Sequence, residues 1–379
     1  MTAGGNELLW LPHVHWGVFI ATYLFLGGVS GGAYLTSTWA SLMKSQMDKE
    51  SRLGTILLSR TDSPKHRFAC AETARWGSLV SVLAIAVGGT ALISHLGAPL
   101  RALTFPVLFS NFGSWLVVGT WFIVIFALLS TFEMFWLLFG TDRADADGLS
   151  YLPRRILGLL DRFMPWDADP GIRGRLDIVA DTTRIEGRHR GAVRIVGSAF
   201  GVGVVVYTAM LLSDLASVPF WTRQWLPLVF LMSGVSTGIS AALLGTVLSG
   251  GALTRTNHRF CLTDDVIIVA ELAFIGGLLA LLAGSASPAA QATYAQLFGT
   301  YELQFVGGVL VVGTGVPVLL SLTITGVHQF TDLDESPLGR WLMTGGYATK
   351  YLLVLAGGYI LRWVVLYAAV KNPLVVPGA

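Results

Sequence analysis

Eight apolar runs, each long enough to cross a bilayer, constrain this 379-residue sequence more than any other feature. A spanning helix needs about 20 mostly apolar residues, because lipid offers no water to satisfy a bare backbone. The runs cover residues 16–42, 76–95, 113–139, 192–213, 224–248, 264–284, 303–330 and 346–370. Charged residues make up only 13% of the sequence, about half the usual share of a soluble protein. The 12 Trp and 44 Gly also suit membrane helices. The expected fold is all-α and transmembrane, with about eight helices.

Charge orients the runs. Nineteen of the 25 Lys and Arg fall in the connecting segments 43–75, 140–191, 249–263 and 331–345. The alternate connections hold only Arg101, Arg223 and Lys371, while Arg194, Lys350 and Arg362 fall inside runs. Positive segments stay in the cytoplasm, so both termini are expected outside. No Lys or Arg precedes the first run within fifteen residues, so no secretory signal is expected. The protein divides into three spans over 1–139, an arginine-rich cytoplasmic segment over 140–191, and five spans over 192–379. Within that segment, "RLDIVADTTRIEGRHRGAVRIVG" reads either as an amphipathic helix at the inner surface or as a solvated loop touching headgroups.

A faint repeat links the halves. "FLGGVSGGA" (25–33) matches "LMSGVSTGI" (231–239), and "LAIAVGG" (83–89) matches "LAFIGGL" (272–278) more weakly. Two four-helix bundles in one orientation would explain it. In "HWGVFIATYLFLGGVSGGAYL" (15–35) the glycines stand at 27, 28, 31 and 32. That spacing fits neither a dinucleotide loop nor a phosphate loop, and no Gly-Lys-Ser/Thr follows. It gives two overlapping GxxxG pairs, a flat strip for another helix or a flat ligand. Tyr23 precedes Gly27 by four residues and shares its face.

Ionisable groups at membrane depth are expensive and mark candidate sites. Toward the outer face stand Tyr23, His95, Arg101, Asn111 and Tyr207, a set of phenol, imidazole, guanidinium and amide donors able to hold quinone carbonyls. Asp214 lies near the outer end of the fourth run. Glu271 and Arg362 lie inside the sixth and eighth runs, as a structural pair or as part of a water-lined path. Glu72, Glu133, His328 and Lys350 lie toward the inner side and are expected to snorkel to headgroups, Glu72 and Glu133 alternatively lining a path. No two histidines share a depth on facing helices, apart from a forced pairing with His13 or His15, so no haem is expected. The two cysteines, Cys70 and Cys261, stand alone, so no iron–sulfur cluster or structural zinc is expected in this protein.

Four stretches, in order, resemble the NrfD-like, polysulfide-reductase-type membrane subunits. They are "YLFLGGVSGGAYL", "LISHLGAPLRAL" with "SNFGSWLVVGTWFI", "VVYTAMLLSDLASVPFWTRQWLPLVFLMSGVSTG" and "LVLAGGYILRWVVLYA". The resemblance runs over almost all eight spans. It implies two four-helix bundles in a prokaryotic inner (cytoplasmic) membrane and a quinone site near the outer face of the first bundle. The quinone would be menaquinone or ubiquinone. The implied partners are a four-cluster ferredoxin-like iron–sulfur subunit and a molybdopterin catalytic subunit on the outer face, with no nucleic acid. Tyr23 falls where the polysulfide-reductase type carries a quinone-contacting histidine, and Tyr207 matches the tyrosine of the fourth-helix motif. Ala98 replaces the arginine that follows Leu-Gly in the family pattern, while Arg101 remains.

The resulting expectation is a quinone-reactive membrane subunit of a respiratory oxidoreductase. Tyr23, His95, Arg101, Asn111 and Tyr207 would bind the quinone. Asp214, Glu271, Arg362, Glu133 and Glu72 would carry protons. The rivals are a secondary transporter, which would need polar midplane residues in both halves, and a passive anchor for the catalytic subunits.

Overall fold

The computed structural model describes residues 17–48, 64–95, 112–139, 172–185, 187–251, 253–330 and 336–372. Among them are ten α-helices and no strand. They are α1 (Val18–Asp48), α2 (Pro64–His95), α3 (Trp115–Leu138), α4 (Ile172–Thr183), α5 (Gly187–Ser213), α6 (Leu226–Thr246), α7 (Arg255–Gly284), α8 (Pro288–Leu297), α9 (Val316–Phe330) and α10 (Pro337–Tyr367). α6 ends in a π-helical turn, Val247–Gly251, and α9 continues a π-helical stretch, Leu303–Gly315.

Eight helical stretches are long and apolar enough to span a membrane, and each coincides with one of the expected runs. Their ends differ. The second begins at His66 rather than residue 76, the sixth at Thr256 rather than 264, and the eighth at Pro337 rather than 346. The second sequence limit stops at Arg75. In the fold the Arg75 guanidinium donates to Glu72 at 3.0 Å, and the helix runs on through both.

Two rings of four spans result. α1, α2, α3 and α5 pack in one ring. α6, α7, α10 and the span made by Leu303–Gly315 with α9 pack in the other. α1 and α6 form the main seam between the bundles. The seam explains the glycines of α1. Gly27 and Gly31 face α5, at Thr208, Val204 and Gly201. Gly28 and Gly32 face α6, and a Cβ on Gly28 would lie 3.3 Å from the Gly234 Cα. The two copies of the sequence repeat therefore pack against each other. Small residues on both sides let the backbones approach this closely.

Of the arginine-rich segment, α4 lies against the end of α3, where the Trp136 indole donates to the Thr183 hydroxyl at 3.2 Å. Ile178 and Val179 of α4 are exposed. Residues 140–171 lie outside the described residues. At the other end of the molecule, Ser287 donates to Asn372 at 2.6 Å, and the Asn372 amide donates to the Ser217 carbonyl at 2.7 Å. These bonds tie the last described residues to the connections of the second bundle.

Candidate functional site

α1 and α5 run antiparallel in the first bundle, so the start of α1 and the end of α5 lie at one depth. This brings Tyr23 and Tyr207 together, and the Tyr23 hydroxyl donates to the Tyr207 hydroxyl at 3.1 Å. Both are buried, at 1% and 2% exposure. Gly119 of α3 makes room for the Tyr207 ring, since a Cβ there would strike it. Ile20, Leu24, Leu92, Phe122 and Ile123 belong to the same apolar cluster. A phenol carries one donor hydrogen and two acceptor lone pairs. Tyr23 spends its hydrogen on Tyr207, and the Tyr207 hydrogen has no acceptor among the described residues.

The other expected members of this site stand differently. His95 ends α2, is exposed, and makes no hydrogen bond to either tyrosine. Arg101 and Asn111 lie outside the described residues, as do His13 and His15. The Asp214 carboxylate pairs with Arg223 at 2.7 Å, and both side chains are substantially exposed.

Of the expected proton carriers, Glu72 and Glu133 are buried at 1% exposure and do not snorkel. Glu72 pairs with Arg75, whose Nε also donates to the Leu137 carbonyl at 3.2 Å. Glu133 accepts from Arg194 at 2.8 Å and Arg190 at 3.3 Å, which joins α3 to α5. In the second bundle Arg362 is fully buried. It donates to the Ser233 hydroxyl, to the Gly358 carbonyl at 3.1 Å and to the Phe230 carbonyl at 3.3 Å. Glu271 lies close to the same Ser233 hydroxyl and in the field of Arg362. No direct ion pair joins the two charges. Arg362 also reaches the seam, with Nη2 3.2 Å from where a Gly28 Cβ would stand.

Lys350 is the largest departure from the sequence reading. It is wholly buried and pairs with Asp264 and Asp265 of α7. A sixth span drawn from residue 264 puts these two carboxylates at its edge, where nothing singles them out. The usable signal is spacing. Asp264 and Glu271 are seven residues apart on one helix, which puts both on one face. His328 lies in α9, but nothing of its side chain is among the described residues.

Fold and composition define a multi-pass integral membrane protein of two four-helix bundles that carries paired phenols and ionic clusters inside. It belongs to the polysulphide reductase NrfD family, whose model matches residues 11–372. It is 29% identical over 368 residues to the C subunit of polysulfide reductase from Wolinella succinogenes, a match that takes in 96% of the present sequence and 95% of that protein. It is 26% identical over 351 residues to the NrfD homolog of Haemophilus influenzae, which takes in 91% of the present sequence and 95% of that protein.

Proposed function

We propose that this protein is the membrane-anchor and quinone-reactive subunit of a respiratory oxidoreductase, and that Tyr23 and Tyr207 hold the quinone head. One observation carries this reading. Two buried phenols share a hydrogen bond in apolar surroundings, and one phenol hydrogen is left over to donate. A bound quinone supplies two-electron, two-proton redox chemistry. The residues fit such a group: the Tyr207 hydroxyl can donate to a carbonyl oxygen, Tyr23 orients that hydroxyl, and the apolar side chains exclude water from the ring. His95 ends α2, and it would complete the site together with Arg101 and Asn111, which follow it in the sequence.

The electrons would pass to or from an iron–sulfur partner, and through it a molybdopterin catalytic subunit, docked on the side of this site. Family membership and the full-length match to a polysulfide reductase subunit support that assembly. Asp214 is exposed beside the site and would exchange protons with outside water. Glu271 with Arg362, and Glu133 and Glu72 in the first bundle, would carry protons from the arginine-rich face, taken as cytoplasmic. The membrane would be the inner membrane of a prokaryote.

The test uses the complex purified with its own partners. Tyr23→Phe combined with Tyr207→Phe is expected to cut quinol-linked turnover at least about 100-fold, the usual scale for losing a positioned proton donor, while activity with an artificial dye persists. Full quinol turnover in the double variant would exclude the tyrosine pair from the site.

A further inference from the structure

The charged core of the second bundle has no part in holding a quinone, and its geometry differs from that of an ordinary buried ion pair. Lys350 Nζ donates to Asp265 Oδ1 at 2.7 Å and faces Asp264 Oδ2 at 3.4 Å. It also lies 3.0 Å from the Cys261 sulfur and 3.2 Å from the Cys261 carbonyl. The Lys350 and Asp264 side chains are wholly buried, while Asp265 keeps 14% of its side chain exposed. Two carboxylates thus compete for one ammonium, and Lys350 is the cation paired with Asp264 among the described residues. With all three ionised the site would hold a net negative charge out of water. Such a charge is strongly unfavourable, and one added proton removes it.

The hydroxyls around the site suit that proton. Ser236 donates to Asp264 Oδ1 at 2.6 Å and Ser240 reaches Oδ2 at 3.4 Å. Ser321 donates to Asp265 Oδ2 and lies 3.3 Å from the Cys261 sulfur. A hydroxyl can turn from donor to acceptor, so Asp264 keeps its partners whether or not it carries a proton. Ser233, Ser236 and Ser240 recur at helical spacing on α6, and α7 presents Asp264 and Glu271 to them. On the side of the arginine-rich face, the Tyr351 hydroxyl donates to Asn257 at 3.1 Å.

We propose that Asp264, Asp265 and Lys350 form a proton-loading site, and that the α6–α7 seam carries its proton between the arginine-rich face and Glu271. Lys350 keeps its own proton and acts as the fixed counter-ion. Asp265, the partly exposed member, exchanges a proton with water. Asp264 holds that proton on a carboxylate oxygen and passes it along the serines to the Glu271 carboxylate. No electron moves at this site, and each proton gained at Glu271 is one lost by water at the entry. The inference rests on the proposed quinone reading only for what drives the proton.

The experiment therefore has two arms, both on the purified complex in phosphatidylethanolamine–phosphatidylglycerol vesicles loaded with pyranine. Asp264→Asn leaves Lys350–Asp265 as a balanced pair, so it is expected to assemble. Ser236→Ala changes no charge and serves as the second variant. During quinone-linked turnover, Asp264→Asn should lose the proton uptake that accompanies electron flow, while electron transfer in detergent continues. Uptake per electron equal to wild type overturns the proposal, as does a wild-type complex that moves no protons. In the second arm a potassium diffusion potential with valinomycin drives a transient proton loading of the seam without any quinone. Loss of that transient uptake in Asp264→Asn and slowing in Ser236→Ala are expected, and the same transient in all three overturns the seam. Absence of quinone turnover in the wild type sinks the quinone reading alone, and the second arm still decides the proton site.

Discussion

Ser30 and Ser236 occupy matching positions of the internal repeat, one in each bundle, and meet different partners. Ser30 donates to the Ser81 carbonyl at 2.7 Å and closes a neutral joint between α1 and α2. Ser236 donates to the Asp264 carboxylate at 2.6 Å. The ionisable groups divide the same way. In the first bundle Glu72 and Glu133 are matched by Arg75, Arg190 and Arg194 near the arginine-rich ends of the helices. In the second, Lys350 and Arg362 lie wholly buried along the length of α10, with two carboxylates sharing one ammonium. A ring of four spans is repeated in the two halves, but the chemistry is not. The first bundle pairs two phenols and balances its buried carboxylates with arginines, and the second shares two carboxylates over one buried ammonium.

The comparison can be broken most severely at Lys350. Lys350→Met leaves both Asp264 and Asp265 without their cation, and removing one partner of a buried pair costs about 3–5 kcal/mol. Thermal unfolding of the purified complex should show a large fall in Tm, and a tolerated Lys350→Met would mean the interior charges are not coupled. Gly32→Val comes next, because its side chain would strike the Gly234 carbonyl and push the two bundles apart. Overpacking of this kind costs about 1–3 kcal/mol or more. Gly89→Ala is its control: nothing lies within 4 Å of the new Cβ. There the same melting assay should read no loss, or a gain of up to about 1 kcal/mol from helix propensity. Tyr23→Phe alone removes one net hydrogen bond worth about 1 kcal/mol, so its effect should appear in quinol turnover and hardly in Tm. Asp214→Asn should have the smallest effect on stability. Its pair with Arg223 is exposed and is worth under about 1 kcal/mol, a difference that should shrink further in high salt.

Much of this is legible in the amino-acid sequence. The eight spans follow from apolar length alone, and the repeated "GVS" with its spaced glycines points to two bundles without any knowledge of contacts. Tyr23 stands out because a phenol beside a glycine strip is unusual in an apolar run, and Tyr207 through the fourth-helix motif. The open question about the strip, ligand or helix, is answered by Gly28 and Gly32 lying on α6 and Gly27 and Gly31 on α5. Lys350 is illegible because a lysine near a span's end ordinarily reaches for headgroups, and only the position of α7 supplies the two carboxylates that hold it inside.

The sequence by itself determined that the protein must cross a membrane eight times, since the hydrophobic and backbone constraints of lipid act on each segment separately. It also set the places where helices could approach closely, because only small residues permit it. Pairing was decided by the tertiary structure alone. Which serine meets a carbonyl and which a carboxylate, which tyrosines share a hydrogen bond, and which charges are neutralised inside all depend on helices distant in sequence. A buried charge is tolerable only with its partner, and partners are set by packing.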